Sequence, residues 1–185
     1  MPSLKPFSIR AYTKHTRSHY HDFHQLVLPL QGSIKIKVGD FEGLVNVGDC
    51  VVIKSKQRHD FSANENARFM VVDSHKLPEN ILNVTNQKFV INNSLLSYIQ
   101  FIEKQLNAQT NSETESKMFE LFYQLLSHQS LSIVRDKRIE QVLTAISNDV
   151  SLDHSIESLA KLAFLSSTQF KKVFKASMGS TVLQY

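Results

Sequence analysis

The sequence predicts an α+β protein in three parts: an N-terminal antiparallel β-barrel over residues 1–90, a helical hairpin over 91–130 and a C-terminal helix-turn-helix over 131–185. Three observations carry that reading. Residues 4–73 alternate apolar and polar side chains, and turn residues punctuate them roughly every eight to twelve positions, the pattern of short antiparallel strands. From Ser94 the apolar period lengthens to three and four, the spacing of one helix face. Residues 153–179, DHSIESLAKLAFLSSTQFKKVFKASMG, then describe two short amphipathic helices joined at a tight corner.

Within the strand region, Ser33-Ile34-Lys35-Ile36-Lys37-Val38 buries Ile34, Ile36 and Val38 and leaves Lys35 and Lys37 in water, and Gly39-Asp40 turns the chain back. Val47-Gly48-Asp49 repeats the device before Val51, Val52 and Ile53, and RFMVVD at 68–73 closes the set. Several short strands with glycine at the corners point to a small barrel or jelly roll, an architecture that holds a ligand in its middle. Cys50 lies in a Cys-Val-Val-Ile run and reads as a buried strand residue; as the chain's one cysteine it excludes an internal disulfide. No apolar run approaches the roughly 20 residues of a membrane span, and MPSLKPFSIR lacks the apolar centre of a signal peptide, so a cytoplasmic protein without a membrane partner is expected.

The histidines give the barrel its chemistry. His19 and His21 are two apart on an expected strand and so share a face, and Gln25 lies on that face four residues on. His24 breaks this parity and is expected to point outward, while His59 sits at the far end of the following hairpin. This arrangement resembles the cupin pattern. Its first motif runs His-x-His, three or four residues, Glu, six residues and Gly; here stand His19-Tyr20-His21, Gln25 and Gly32. Its second begins at Gly48, has Lys54 and Lys56 where the family has Pro and Gly, and ends at His59. Cupin enzymes hold iron, manganese, nickel or zinc on three histidines and a carboxylate. With Gln25 in the carboxylate's place the charge compensation is missing, and the reading is a ligand pocket lined by His19, His21, Gln25 and His59, with no metal and no cofactor. A divalent ion on the same residues, or purely structural histidines, are the alternatives.

Leu95, Leu96, Ile99, Ile102 and Leu106 make one amphipathic helix, and Met118, Phe119, Phe122, Leu125 and Leu126 a second, with a polar turn at 108–113. The hairpin's two stripes cannot both be finished on each other, so one meets the barrel or a second copy of the chain, and a homodimer through the hairpin is expected. Residues 130–136 read as a connector. Asp136 can cap a helix that buries Ile139, Val142, Leu143 and Ile146 and ends near Asn148.

In the corner segment, Ile156, Leu159, Ala160 and Ala163 form one apolar face and Phe170, Val173 and Phe174 the next. Ser155 and Ser166 stand where hydroxyls cap the two helices, and Gly179 supplies the stop. The second helix then exposes Thr168, Gln169, Lys171, Lys172 and Lys175: three cations and no acid, a face suited to a major groove. Any soluble amphipathic helix also turns lysines outward, and the formal net charge of +4 is mild, so the corner matters more than the charge.

The order of parts resembles the AraC type of bacterial transcription regulator. The resemblance spans nearly the whole chain and is most specific at Leu159-Ala160, Leu165-Ser166, Phe170, Phe174-Lys175, Gly179 and Tyr185; Ser180-Thr181 stands where the family has Ser-Pro. It implies base-facing roles for Thr168, Lys171 and Lys172, with Gln169 and Lys175 nearer the DNA backbone. Regulators of this type resemble two helix-turn-helix units joined by a long helix, so a chain that stops at Tyr185 is expected to be a form shortened after its first. The implied function is a ligand-responsive, sequence-specific DNA-binding regulator that is not an enzyme, with DNA and a small-molecule effector as partners. A metal-dependent cupin enzyme, or a dimerisation partner that inhibits a full-length regulator, are the other readings.

Overall fold

The computed structural model describes residues 5–11, 17–63, 67–131, 135–148 and 154–185. The chain divides into two units, Met1–Ile133 and Val134–Tyr185.

The first unit holds nine strands among the described residues: β1 (Phe7–Ala11), β2 (Arg17–His19), β3 (His24–Gln31), β4 (Ser33–Val38), β5 (Phe41–Asn46), β6 (Asp49–Ile53), β7 (His59–Ala63), β8 (Arg68–Ser74) and β9 (Lys88–Val90). They form two antiparallel sheets, in the orders β1-β8-β3-β6-β9 and β2-β7-β4-β5. The barrel expected from the sequence does not form. No ladder joins the two sheets among the described residues; each keeps two edge strands, and the outermost β2 and β9 are three residues long. The inner faces instead stack on a shared apolar layer of Val27, Val51, Ile53 and Phe69 from one sheet and Ile34, Ile36, Val38, Val45 and Phe61 from the other. Alternation along a strand fixes which side chains face inward. Whether the inward faces belong to one curled sheet or to two stacked ones is decided by pairing partners far away in the chain. Gly32 takes the chain from one sheet to the other at φ +68°, where an added Cβ would lie 3.3 Å from Ala67.

The outer face of the five-stranded sheet is covered too, which is why every residue of β6 is buried. Helices α2 (Asn93–Asn107) and α3 (Ser112–Ser127) form the hairpin. They bury Leu95, Leu96, Ile99 and Ile102 on α2 and Met118, Phe122 and Leu126 on α3. Phe7 of β1 meets Phe119 and Phe122 edge-on with ring centroids 6.0 and 5.8 Å away, so the hairpin's apolar stripe is finished on the sheet. The helix starts are set by Asn92 and Asn111, whose side chains each accept a backbone N–H three residues on at 2.8 Å. Two short elements were not expected: α1 (Glu79–Leu82) and β9. They are fastened to the end of α3 by amides. Asn80 Nδ2 donates to the carbonyls of Leu126 and Gln129, while Gln129 accepts from the Asn92 N–H and donates to the Val90 carbonyl.

The second unit contains α4 (Lys137–Asn148), α5 (Ile156–Leu162) and α6 (Ser167–Met178). Residues 132–134 of the expected connector, and Asp153 at the start of the corner segment, lie outside the described residues. Asp136 starts α4 as expected: its carboxylate accepts the Arg138 backbone N–H at 2.9 Å and pairs with the Arg138 guanidinium at 2.6 Å. Ile139, Val142 and Leu143 of α4, Leu159 and Ala160 of α5, and Phe170, Phe174 and Met178 of α6 are all buried. No helix among the described residues is long and apolar enough to cross a membrane.

The corner between α5 and α6 is closed by two backbone hydrogen bonds. Leu165 N–H reaches the Ala160 carbonyl at 2.9 Å and Phe164 N–H the Lys161 carbonyl at 3.0 Å, a paired helix stop that needs a left-handed residue at Phe164. Phe164 adopts φ +54° with 86% of its surface exposed, so it bears the left-handed cost without compensating burial. Phe164→Gly is therefore expected to stabilise this unit by about 1 kcal/mol, read as slower native-state hydrogen exchange of the α5 and α6 amides. Faster exchange would show that the aromatic ring, not the backbone, sets stability here.

Candidate ligand site and candidate nucleic-acid interface

At one end of the sandwich three imidazoles converge. His19 ends β2 and pairs in register with His59, the first residue of β7, so both project from the inner face of the four-stranded sheet. His21 lies just past β2 in the crossing to β3. One ligand atom of each lies within 4.8 Å of the others, and His19 Nε2 is 3.1 Å from His59 Nε2. Two of the rings are locked. His21 Nδ1–H donates to the Phe23 carbonyl at 2.6 Å, and His59 Nδ1–H donates to the Gln57 carbonyl at 3.1 Å. With Nδ1 carrying the proton, each Nε2 presents a lone pair to the shared centre. Aromatic rings flank the group: Phe23 stacks on His21 at 4.3 Å and Phe61 stands edge-on to His19 at 5.4 Å.

Gln25 has a partner of its own. It is buried in the facing sheet, opposite Asp73 and Ile53 in register, and its Nε2 donates to Asp73 Oδ1 at 2.7 Å. The other oxygen of Asp73 faces the Arg10 guanidinium at 3.4 Å. His24 is half-buried, and its Nδ1 accepts the Ser55 N–H at 3.1 Å. Burial, then the charges of Lys54, His21 and His75, lowers its pKa.

In the second unit, Ser155 and Ser166 cap α5 and α6. Gly179 closes α6 at φ +69°, the left-handed stop anticipated from the sequence. Thr168, Gln169, Lys171, Lys172 and Lys175 are all exposed, on the side of α6 away from Phe170 and Phe174. No carboxylate among the described residues pairs with Lys171, Lys172 or Lys175. Gln169 has a second duty: its Oε1 accepts the Ser166 N–H at 3.3 Å while the Ser166 hydroxyl accepts the Gln169 N–H at 3.3 Å, a reciprocal cap that fixes the first turn.

A solved structure of the AraC-like transcriptional activator CuxR superposes with a TM-score of 0.53 at 14% identity, over 97% of this chain and 72% of that one. The chain has an AraC-like fold. A protein of Photobacterium leiognathi described as the probable transcriptional regulator LumQ is 23% identical over 189 residues, which is 97% of this chain and 75% of that protein. No family model matches the sequence.

Within this AraC-like fold, sequence reasoning missed Asp73, which accepts from Gln25 in the facing sheet, and Arg10, which pairs with Asp73. They come from β8 and β1, and the ladder β1-β8-β3 is what sets all three side by side. The available signal was a polar residue at the inward parity of RFMVVD, Asp73, in a run otherwise apolar on that face.

Burial pushes the His59 imidazole down from 6.5 to about 4; His19 and His21 add to the fall, and the Gln57 carbonyl opposes it. The folded state thus binds a proton at His59 less readily than the unfolded chain does. Stability from this group is full above pH 6.5 and falls as the pH drops towards 4, by up to about 1.4 kcal/mol per pH unit. In metal-free buffer, urea unfolding at stepped pH is expected to show this loss, and His59→Gln to flatten it. An unchanged pH profile in that variant would move the effect to another group.

Proposed function

We propose that this chain is a ligand-responsive, sequence-specific DNA-binding transcription regulator rather than an enzyme. The observation that carries the reading is the face of α6: Thr168, Lys171, Lys172 and Lys175 form one exposed stripe with no acidic partner among the described residues, on a helix held by a double serine–glutamine cap. A helix presented in this way can enter a major groove with its first turns on base edges and its lysines on phosphates. The AraC-like fold and the similarity to a probable transcriptional regulator support the same reading. Lysine offers a point charge where arginine would offer a two-pronged donor to guanine, so Lys171 and Lys172 contribute more to affinity than to base choice.

The ligand site is the histidine end of the first unit, and its occupancy changes the DNA affinity of the second. Homodimerisation uses the outer side of the hairpin, where Phe101 and Leu121 are 47% and 44% exposed. Two reading heads then compensate for the small phosphate footprint of one helix.

The test is fluorescence anisotropy with a short labelled duplex over a range of salt. Lys171→Ala with Lys172→Ala is expected to weaken binding about tenfold or more at low salt and to reduce the slope of log affinity against log salt by about 2. An unchanged slope in the double variant would remove α6 as the reading helix.

A further inference from the structure

We propose that the first unit carries a second small-molecule site, lined by none of the three clustered histidines, for an organic ammonium: an amine on an aromatic body, held by the Glu115 carboxylate against the rings of Phe119 and Tyr123. The site is a cleft of about 1100 Å³ between α3 and the end of β8, with Lys5 also on its lining. Pockets that hold small molecules run to about 300–1,000 Å³ and join apolar walls to a few placed polar groups, so this cleft has room for such a ligand. Its α3 wall is built from neighbouring rows. Glu115, Phe119 and Tyr123 recur every four residues and stand one above another, with Ser112, Ser116 and Glu120 in the row beside them. That wall offers carboxylates and no cation. Phe119 is fixed by its edge-on contact with Phe7, and Tyr123 lies against it with ring centroids 6.4 Å apart.

The sign of the ligand's charge follows from which group on the lining is sheltered and under-answered. The Glu115 side chain is 14% exposed, and its one ion pair among the described residues is with Lys5 Nζ at 3.8 Å, too long for a hydrogen bond. Lys5 is itself 69% exposed, and so open a pair contributes little, whereas shelter makes the carboxylate require a donor. The Lys5 ammonium thus marks the place of a ligand's ammonium and can yield it. Asp73, the other sheltered carboxylate on the lining, is already engaged by Gln25 and Arg10. The cations across the cleft point to no anion: Lys76 is exposed, as is His75, and water answers them where they stand. The aromatic rings favour the same sign, since a ring face is negative and attracts an ammonium while repelling a carboxylate. A primary ammonium also brings three donors to the Glu115 oxygens, which only accept.

The experiment is isothermal titration of the full chain with phenethylammonium, and with hydrocinnamate as the anion of the same shape. Saturable uptake of the cation at a single site is expected, with the anion at least about tenfold weaker, the scale of one charge-assisted hydrogen bond. Glu115→Gln keeps the shape and removes the charge, and is expected to weaken the cation at least about tenfold. Tyr123→Ala is expected to weaken it by about threefold to tenfold through loss of a ring face. Lys5→Ala, which removes the competing ammonium from an exposed position, is expected to bind the cation as tightly as the parent or more tightly. No saturable uptake of the cation, equal or tighter uptake of the anion, or an affinity unchanged in Glu115→Gln overturns the site. Should Glu115→Gln not fold, Lys5→Ala decides: weaker binding of the cation there overturns the assignment of Glu115 as the group the ligand's ammonium meets.

Discussion

The apolar layer between the two sheets is the constraint on which the first unit depends. Neither sheet can complete its hydrogen bonding on the other, so their association is set by side-chain packing among Val27, Ile34, Ile36, Val51, Phe61 and their neighbours. Burial of this kind has no direction of its own, and the relative placement of the sheets comes from interdigitating shapes. Polar groups on the same inner faces must therefore answer one another inside the stack or collect at its ends. Both solutions occur here. Asp73 is matched by Gln25 and Arg10, and the three histidines gather where the chain crosses between sheets.

That placement gives the histidine cluster its character. Two of its members stand on paired strands, so their separation is fixed by ladder geometry rather than by a loop. The third arrives on a crossing and is held by its own short hydrogen bond to Phe23. In the second unit the same logic works through helix ends. The corner, the serine caps and Gly179 fix the direction of α6, so the exposed stripe is set by backbone hydrogen bonds and needs no contact from its lysines.

How much of this the sequence shows depends on the range of each interaction. The helix-turn-helix was legible because its signals are local: Ser155, Ser166 and Gly179 lie within the elements they start or stop. The strands from Ser33 to Ile53 were legible from alternation alone. The convergence of His19, His21 and His59 could be anticipated from parity and spacing, although His21 reaches the cluster from beyond the strand end. Three things were hidden. The open sandwich replaced a barrel because pairing partners do not show in a period of two. Gln25 was drawn to Asp73, 48 residues away, by a register no local pattern displays. Helix α1 and strand β9, four and three residues long, are too short for any periodicity to register, and they are fastened to the end of α3 by Asn80 within α1 and by Gln129.

The chain crosses between the sheets twice at the histidine end, once after His19 and once before His59, and the two crossings are laced together by the Lys56 N–H donating to the His21 carbonyl at 2.7 Å. A grip on His21 therefore pulls on the turn that delivers His59. The two leaves are thus held at this end by a backbone bond between their crossings as well as by side-chain packing.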